Sequence, residues 1–212
     1  MEHFSFLREN MAVDRFFSIF CDGQFSLDQT ELTILATCKE ILELFDRQLL
    51  VHSTNVAAYA LKLAQVLGLE ERKSIAISGF VHDIGKLYIS KDLLNKPDKL
   101  KYSEYALLKT HSARGAGFIE KVFPHRVDLV EIVRHHHERY DGTGYPDQLA
   151  REEIPVGARI IGLVDTYDAL TSTRTYRPKL SPAAALEEID KNSGTQFDPH
   201  MVRVFIKEVL RG

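Results

Sequence analysis

Apolar residues recur at spacings of three and four along most of the chain, which predicts helix after helix. In TNVAAYALKLAQVLGL, the residues Val56, Tyr59, Ala60, Leu63 and Leu67 make one stripe, and Gly68 stops the run. His52 lies four residues before Val56, at the start of that same face. In LVEIVRHHHERY, the stripe is Leu129, Ile132, Val133 and His136, with His137 beside it over Val130 and Val133. His135 falls with Asp128 and Glu131 on the polar face and reads as a solvated surface residue. Strand-like alternation is nearly absent, and the short IGKLYIS is the best candidate.

Boundaries are marked by turn and cap chemistry. Ser181-Pro182 and Asp198-Pro199 each read as an N-cap followed by the first helical residue, ahead of AAALEEID and MVRVFIKEVL, with Gly194 closing the former. KPDKLKYSE reads as a loop feeding a helix near Glu104, and DGTGYPDQLAREEIP is the longest irregular stretch. Residues 1–45 are expected to form short helices (FFSIF and LTILATCKEILELF), and residues 46–212 the main domain. The fold class expected is all-α.

The chemistry lies where polar groups interrupt apolar stripes. His111 follows Leu107 and Leu108, Asp83 follows Gly79 and Phe80, and Asp165 stands between Ile161 and Ala169 at helical spacing. An imidazole or carboxylate on an inward face is costly unless it is paired or binds a metal. One such group is most simply a satisfied core residue. Seven of them (His52, His82, Asp83, His111, His136, His137 and Asp165) favour a metal centre. Mixed imidazole and carboxylate donors suit Fe, Mn, Zn or Ni better than Mg or Ca. The set exceeds one tetrahedral site, so two metals bridged by Asp83 are expected, an arrangement able to activate water and clamp a phosphate.

Composition narrows the partners. With 212 residues, an apolar fraction of 44% and a charged fraction of 27%, the chain reads as one domain plus a small appendage. A net charge of -3 argues against a DNA or RNA polymer or an anionic membrane as partner. Cys21 and Cys38 have no CxxC spacing and read as reduced thiols. No signal peptide and no apolar run of about 18 residues is apparent, so a cytoplasmic location is expected.

His52, the His82-Asp83 pair and Asp165 resemble the H…HD…D signature of the HD-domain phosphohydrolases. HDIGK, HHERYDGTGYP and a late FDP, in that order, resemble the HD-GYP subfamily, whose members hydrolyse cyclic di-GMP in bacteria. The resemblance spans about residues 48 to 210. It implies an HD-domain helical bundle with a short helical N-terminal extension. It also implies two divalent metals, Fe or Mn ahead of Zn or Ni, held by the seven residues above. Asp83 and Lys86 take the catalytic roles, and Lys86, Gly144, Tyr145, Arg174 and Arg177 contact substrate. The implied reaction converts cyclic di-GMP to pGpG, GMP or both through a metal-activated hydroxide.

Two departures qualify the match. Thr175 and Pro178 alter the basic segment TSTRTYRPKL, and Gln48 stands where some members carry a glutamate that helps hold a third metal. Two metals are therefore expected rather than three. The rival readings are a cyclic-dinucleotide-binding module with little turnover, an HD phosphohydrolase acting on another cyclic dinucleotide or nucleotide, and a helical protein-interaction domain. Residues 1–45 are too few for a receiver domain, which leaves a stand-alone enzyme, a homodimer or a regulatory protein partner as expectations.

Overall fold

The computed structural model describes residues 12–20, 26–172 and 179–211. Among the described residues ten α-helices follow one another: α1 (Ala12–Phe20), α2 (Gln29–Phe45), α3 (Arg47–Val66), α4 (Arg72–Val81), α5 (Lys91–Leu94), α6 (Tyr102–Val122), α7 (Val127–His135), α8 (Val156–Thr171), α9 (Pro182–Lys191) and α10 (Pro199–Arg211). No β-strand occurs among the described residues; the one bridge, Ser193 with Phe197, is isolated. The all-α expectation holds. Cys21, Arg174, Thr175, Arg177 and Pro178 lie outside the described residues.

IGKLYIS, the best candidate for a strand, contains a 3₁₀ helix, Ile84–Tyr88. Its hydrogen bonds are local, Lys86 N–H to the Asp83 carbonyl (2.9 Å) and Ile89 N–H to the Lys86 carbonyl (3.0 Å). Short runs of apolar residues do not separate strand from tight helix, and here local closure needs no partner strand.

Helix α3 organises the molecule. Asp46 ends α2 and begins α3, its carboxylate accepting from the Gln48 N–H at 2.8 Å. Such a cap is worth about 1 kcal/mol. Thirteen of the 20 residues of α3 are buried, so the helix is covered on both sides. Val56, Tyr59, Ala60 and Leu63 face one apolar cluster with Ile160, Ile161 and Val164 of α8 and with α9 and α10. Leu50, Ala57 and Leu61 face a second cluster with Phe80 of α4, Leu35 and Leu42 of α2, and Phe16, Ile19 and Phe20 of α1. Each large side chain buried this way contributes about 1.5–3 kcal/mol. Glu31 of α2 ties the second layer together through Lys73 (2.6 Å) and Arg126 (2.7 Å). Ser181 and Asp198 behave as the caps expected, accepting from Ala184 N–H (3.2 Å) and His200 N–H (2.8 Å).

Candidate metal centre

The seven expected ligands come from five α-helices and the head of the 3₁₀ helix and meet in one cluster. His52 belongs to α3, His82 caps α4, Asp83 precedes the 3₁₀ helix, His111 belongs to α6, His136 caps α7, His137 follows it and Asp165 belongs to α8. Two groups of donor atoms converge: Asp83 with His111, His136 and His137, and Asp83 with His52 and His82, each within 4.8 Å of one another. Asp83 is common to both. Asp165 joins the second group, its Oδ1 lying 3.0 Å from His52 Nε2 and 4.0 Å from His82 Nε2.

The hydrogen bonds decide which nitrogen faces the centre. His82, His111 and His136 each place Nδ1 against the carbonyl three residues earlier, that of Gly79 (2.8 Å), Leu108 (2.8 Å) and Val133 (2.6 Å). A carbonyl only accepts, so Nδ1 carries the proton and Nε2 keeps its lone pair. His52 does the same with a side chain, Nδ1 donating to Asp168 Oδ2 at 2.7 Å. His82 Nε2 is buried without a hydrogen-bond partner, and His52 Nε2 faces the Asp165 carboxylate at 3.0 Å. The Nε2 atoms of His111 and His136 lie 3.3 Å apart with both protons committed elsewhere. Lone pairs aimed at one another and at carboxylates repel unless a cation lies between them. The donor set therefore fits divalent metal.

Electrostatics divide the centre. Burial opposes ionised Asp83, but Lys86 and His82 outweigh it and hold the carboxyl well below its usual range. Asp165 is likewise held far down by His52 against the cost of burial. Burial opposes the His52 cation, yet Asp165 and Asp168 lift its pKa to about 9. His111, His136 and His137 move oppositely. Burial, then His111, pushes His137 down to about 3, and burial with His137 lowers His136 well below the usual value.

Close backbone approach makes the geometry. A methyl on Gly85 would overlap the His111 carbonyl, so only glycine lets the 3₁₀ helix lie against α6 and set Asp83 Oδ1 3.3 Å from His111 Nε2. Lys86 pairs directly with Asp83. A Cβ on Gly144 would sit 2.5 Å from Glu138 Cα, which is how the GYP loop folds onto the end of α7. Tyr145 then stacks on His137, ring centroids 4.9 Å apart, and its N–H meets the His137 carbonyl at 3.3 Å. A cleft opens beside His136, His137 and Asp165, lined further by Arg139, Thr166 and Gln196. Gln48 is exposed in the first turn of α3.

His135 is not the solvated residue its helix face suggested. It is 4% exposed, with Nε2 2.8 Å from Asp147 Oδ2 and Nδ1 2.8 Å from the Glu131 carbonyl. The loop after α7 folds back over it, and Arg134 holds the same Asp147 at 2.7 and 2.9 Å. Asp168 and Asn55 were missed, although each lies three residues beyond an expected ligand and so shares its helix face. Asn55 Nδ2 donates to Asp168 Oδ1 at 2.9 Å. Glu138 was also passed over as a structural group; its Oε1 accepts from Asp147 N–H (2.6 Å) and Gln148 N–H (2.9 Å), fastening the loop.

A model of the HD domain matches residues 36–201, and the chain belongs to that family. Among similar proteins, a cyclic di-GMP phosphodiesterase of Pseudomonas aeruginosa is 37% identical over 170 residues, covering 79% of this chain and 41% of its own length. A 3'3'-cGAMP-specific phosphodiesterase of Vibrio cholerae is 30% identical over 184 residues, covering 85% of this chain and 35% of its own. The chain thus spans less than half the length of either protein. A solved HDG"Y"P protein from Bdellovibrio bacteriovorus superposes with a TM-score of 0.65 at 17% identity, covering 96% of this chain and 70% of that one, a likeness of fold. No helix among the described residues is long and apolar enough to cross a membrane.

Proposed function

We propose that the chain hydrolyses a phosphodiester bond of a cyclic dinucleotide, cyclic di-GMP first, at a divalent-metal centre formed by His52, His82, Asp83, His111, His136, His137 and Asp165. The observation that carries this reading is the convergence of two sets of imidazole donors, His111, His136 and His137 with His52 and His82, on the shared carboxylate Asp83. These residues would hold divalent cations, Fe or Mn suiting the donor set, with Asp83 common to both donor groups, and the cations would supply the Lewis acidity that lowers the pKa of water and offsets charge developing on the phosphate.

The side chains do the rest. Asp83 is 2% exposed and deep, whereas the Asp165 side chain is 18% exposed beside the cleft, so substrate enters from the Asp165 side. Lys86, a quarter exposed and paired with Asp83, is placed to meet a phosphate oxygen as charge develops. Tyr145 offers its ring beside His137, and Gly144 lets the loop approach closely. Arg174 and Arg177 remain proposed phosphate or guanine contacts. Water adds to phosphorus, the P–O3′ bond breaks, and the 3′ oxygen takes a proton, leaving a linear product with a 5′-phosphate. That product is pGpG, and a second round gives GMP. Cyclic GMP-AMP is the second substrate to consider, because a Vibrio cholerae relative is named for it.

The test is anaerobic incubation of Fe- or Mn-loaded protein with each cyclic dinucleotide, with products separated by chromatography and Asp83→Ala as control. Linear product absent from the control supports the reading. Bound nucleotide with no turnover would replace it with a binding module.

A further inference from the structure

The N-terminal helix is connected to the metal centre by an unbroken hydrogen-bonded chain. Arg15 of α1 donates from Nη1 to Asn55 Oδ1 at 2.6 Å. Asn55 donates from Nδ2 to Asp168 Oδ1 at 2.9 Å, and Asp168 Oδ2 accepts from His52 Nδ1 at 2.7 Å. Asn55, Asp168 and His52 are all buried. Each link constrains the next. An amide has one acceptor oxygen and one donor nitrogen, so a guanidinium on Oδ1 fixes which end of Asn55 faces Asp168. Asn55 then fixes the rotation of the Asp168 carboxylate, which in turn orients the His52 ring and raises the basicity of its Nε2.

The helix carrying Arg15 is fastened where it can matter. Phe16 and Phe20 pack on Phe80, with ring centroids 5.0 and 5.6 Å away, two residues before His82. Helix α1 also lies outside residues 36–201, so the link is not part of the matched HD domain.

We propose that Arg15 is a positioning residue for the metal centre, acting through Asn55 and Asp168 on His52, so that docking of α1 sets how tightly the His52 side of the cluster holds its cation. This rests on the metal-centre reading above. It gives the helix preceding the HD domain a means of control: a partner or segment that displaces α1 would loosen one cation without touching the cleft.

The experiment is Mn²⁺ titration of the metal-free full chain against a chromophoric chelator, for wild type, Arg15→Ala, Arg15→Lys, Asn55→Ala and the Arg15→Ala/Asn55→Ala double variant. Removing a hydrogen-bond partner that orients a metal-binding histidine costs about 10–100-fold in metal affinity. Arg15→Ala is expected to weaken one of two equivalents about tenfold and leave the other unchanged. Arg15→Lys, still able to donate to Asn55, should recover most of the loss, and the double variant should lose no more than Asn55→Ala alone. A merely structural role would weaken both equivalents together, and would overturn the proposal, as would additive losses or wild-type affinity in Arg15→Ala. Wild-type protein that takes up no Mn²⁺ would instead remove the metal reading itself.

Discussion

The two halves of the cluster share Asp83 and an i−3 carbonyl behind His82, His111 and His136, and differ in how His52 is held and in their charge. On one side His52, His82 and Asp165 come from α3, α4 and α8, and the orienting partner of His52 is Asp168, 116 residues away in sequence. On the other, His111, His136 and His137 come from α6 and the end of α7, and the first two are oriented by carbonyls only three residues back. The first half is rich in carboxylate and lifts an imidazole pKa; the second is rich in imidazole and lowers them. Helix geometry alone can aim a histidine through its own i−3 carbonyl. A carboxylate partner needs a second helix to be packed correctly.

The largest expected effect tests what the halves share. Asp83→Ala should reduce bound metal from two equivalents to none and activity to background, whereas His137→Gln should remove one equivalent only; metal content after dialysis distinguishes them. Two equivalents retained by Asp83→Ala would break the comparison at its centre.

Next is Gly85→Ala. Its methyl must displace the His111 carbonyl, and overpacking of this kind costs about 1–3 kcal/mol. A fall of several degrees in melting temperature is expected, at about 2–4 °C per kcal/mol for a chain this size. An unshifted melt would mean that α6 and the 3₁₀ helix are less closely packed.

The opposite pKa shifts predict opposite pH limbs for the metal-free protein. His137, lowered to about 3 from an unfolded value near 6.5, contributes stability that is full above pH 6.5 and lost as pH falls toward 3. His52, raised to about 9, contributes stability that is full below pH 6.5 and lost as pH rises through 9. Melting temperature in chelator should therefore peak near pH 6.5. His137→Gln should flatten the acid limb and His52→Gln the alkaline one, and an alkaline limb unchanged in His52→Gln would contradict the assignment.

The smallest effect lies outside the cluster. Asp147→Asn should leave metal content unchanged and cost about 1 kcal/mol, through the buried His135 nitrogen deprived of its charged partner and an exposed pair with Arg134 that adds little. A thermal melt reads it directly, and a loss of bound metal would tie the loop to the centre more closely than its contacts do.

Much of this was legible in the chain. The stripe Val56, Tyr59, Ala60 and Leu63 faces the core as its spacing predicts, because a helix turning every 3.6 residues leaves little choice. The seven expected ligands stand out as polar groups on or beside such stripes. His135 did not follow its periodicity, because helix α7 stops at that residue and the loop beyond it returns to cover it. IGKLYIS looked strand-like because four or five residues carry too few turns to separate periods of two and three.

The sequence by itself determined the all-helical class, the inward faces and the residue types able to hold metal, since these follow from local periodicity and from the cost of burying polar groups. Only the tertiary structure decided which helices bring those groups together, that Asp83 belongs to both sets, and that Arg15, Asn55 and Asp168 stand behind His52. Those contacts join residues 40 to 116 positions apart, and no local periodicity encodes a pairing at that range. Packing of α8 and of α1 against α3, each through its own apolar cluster, does.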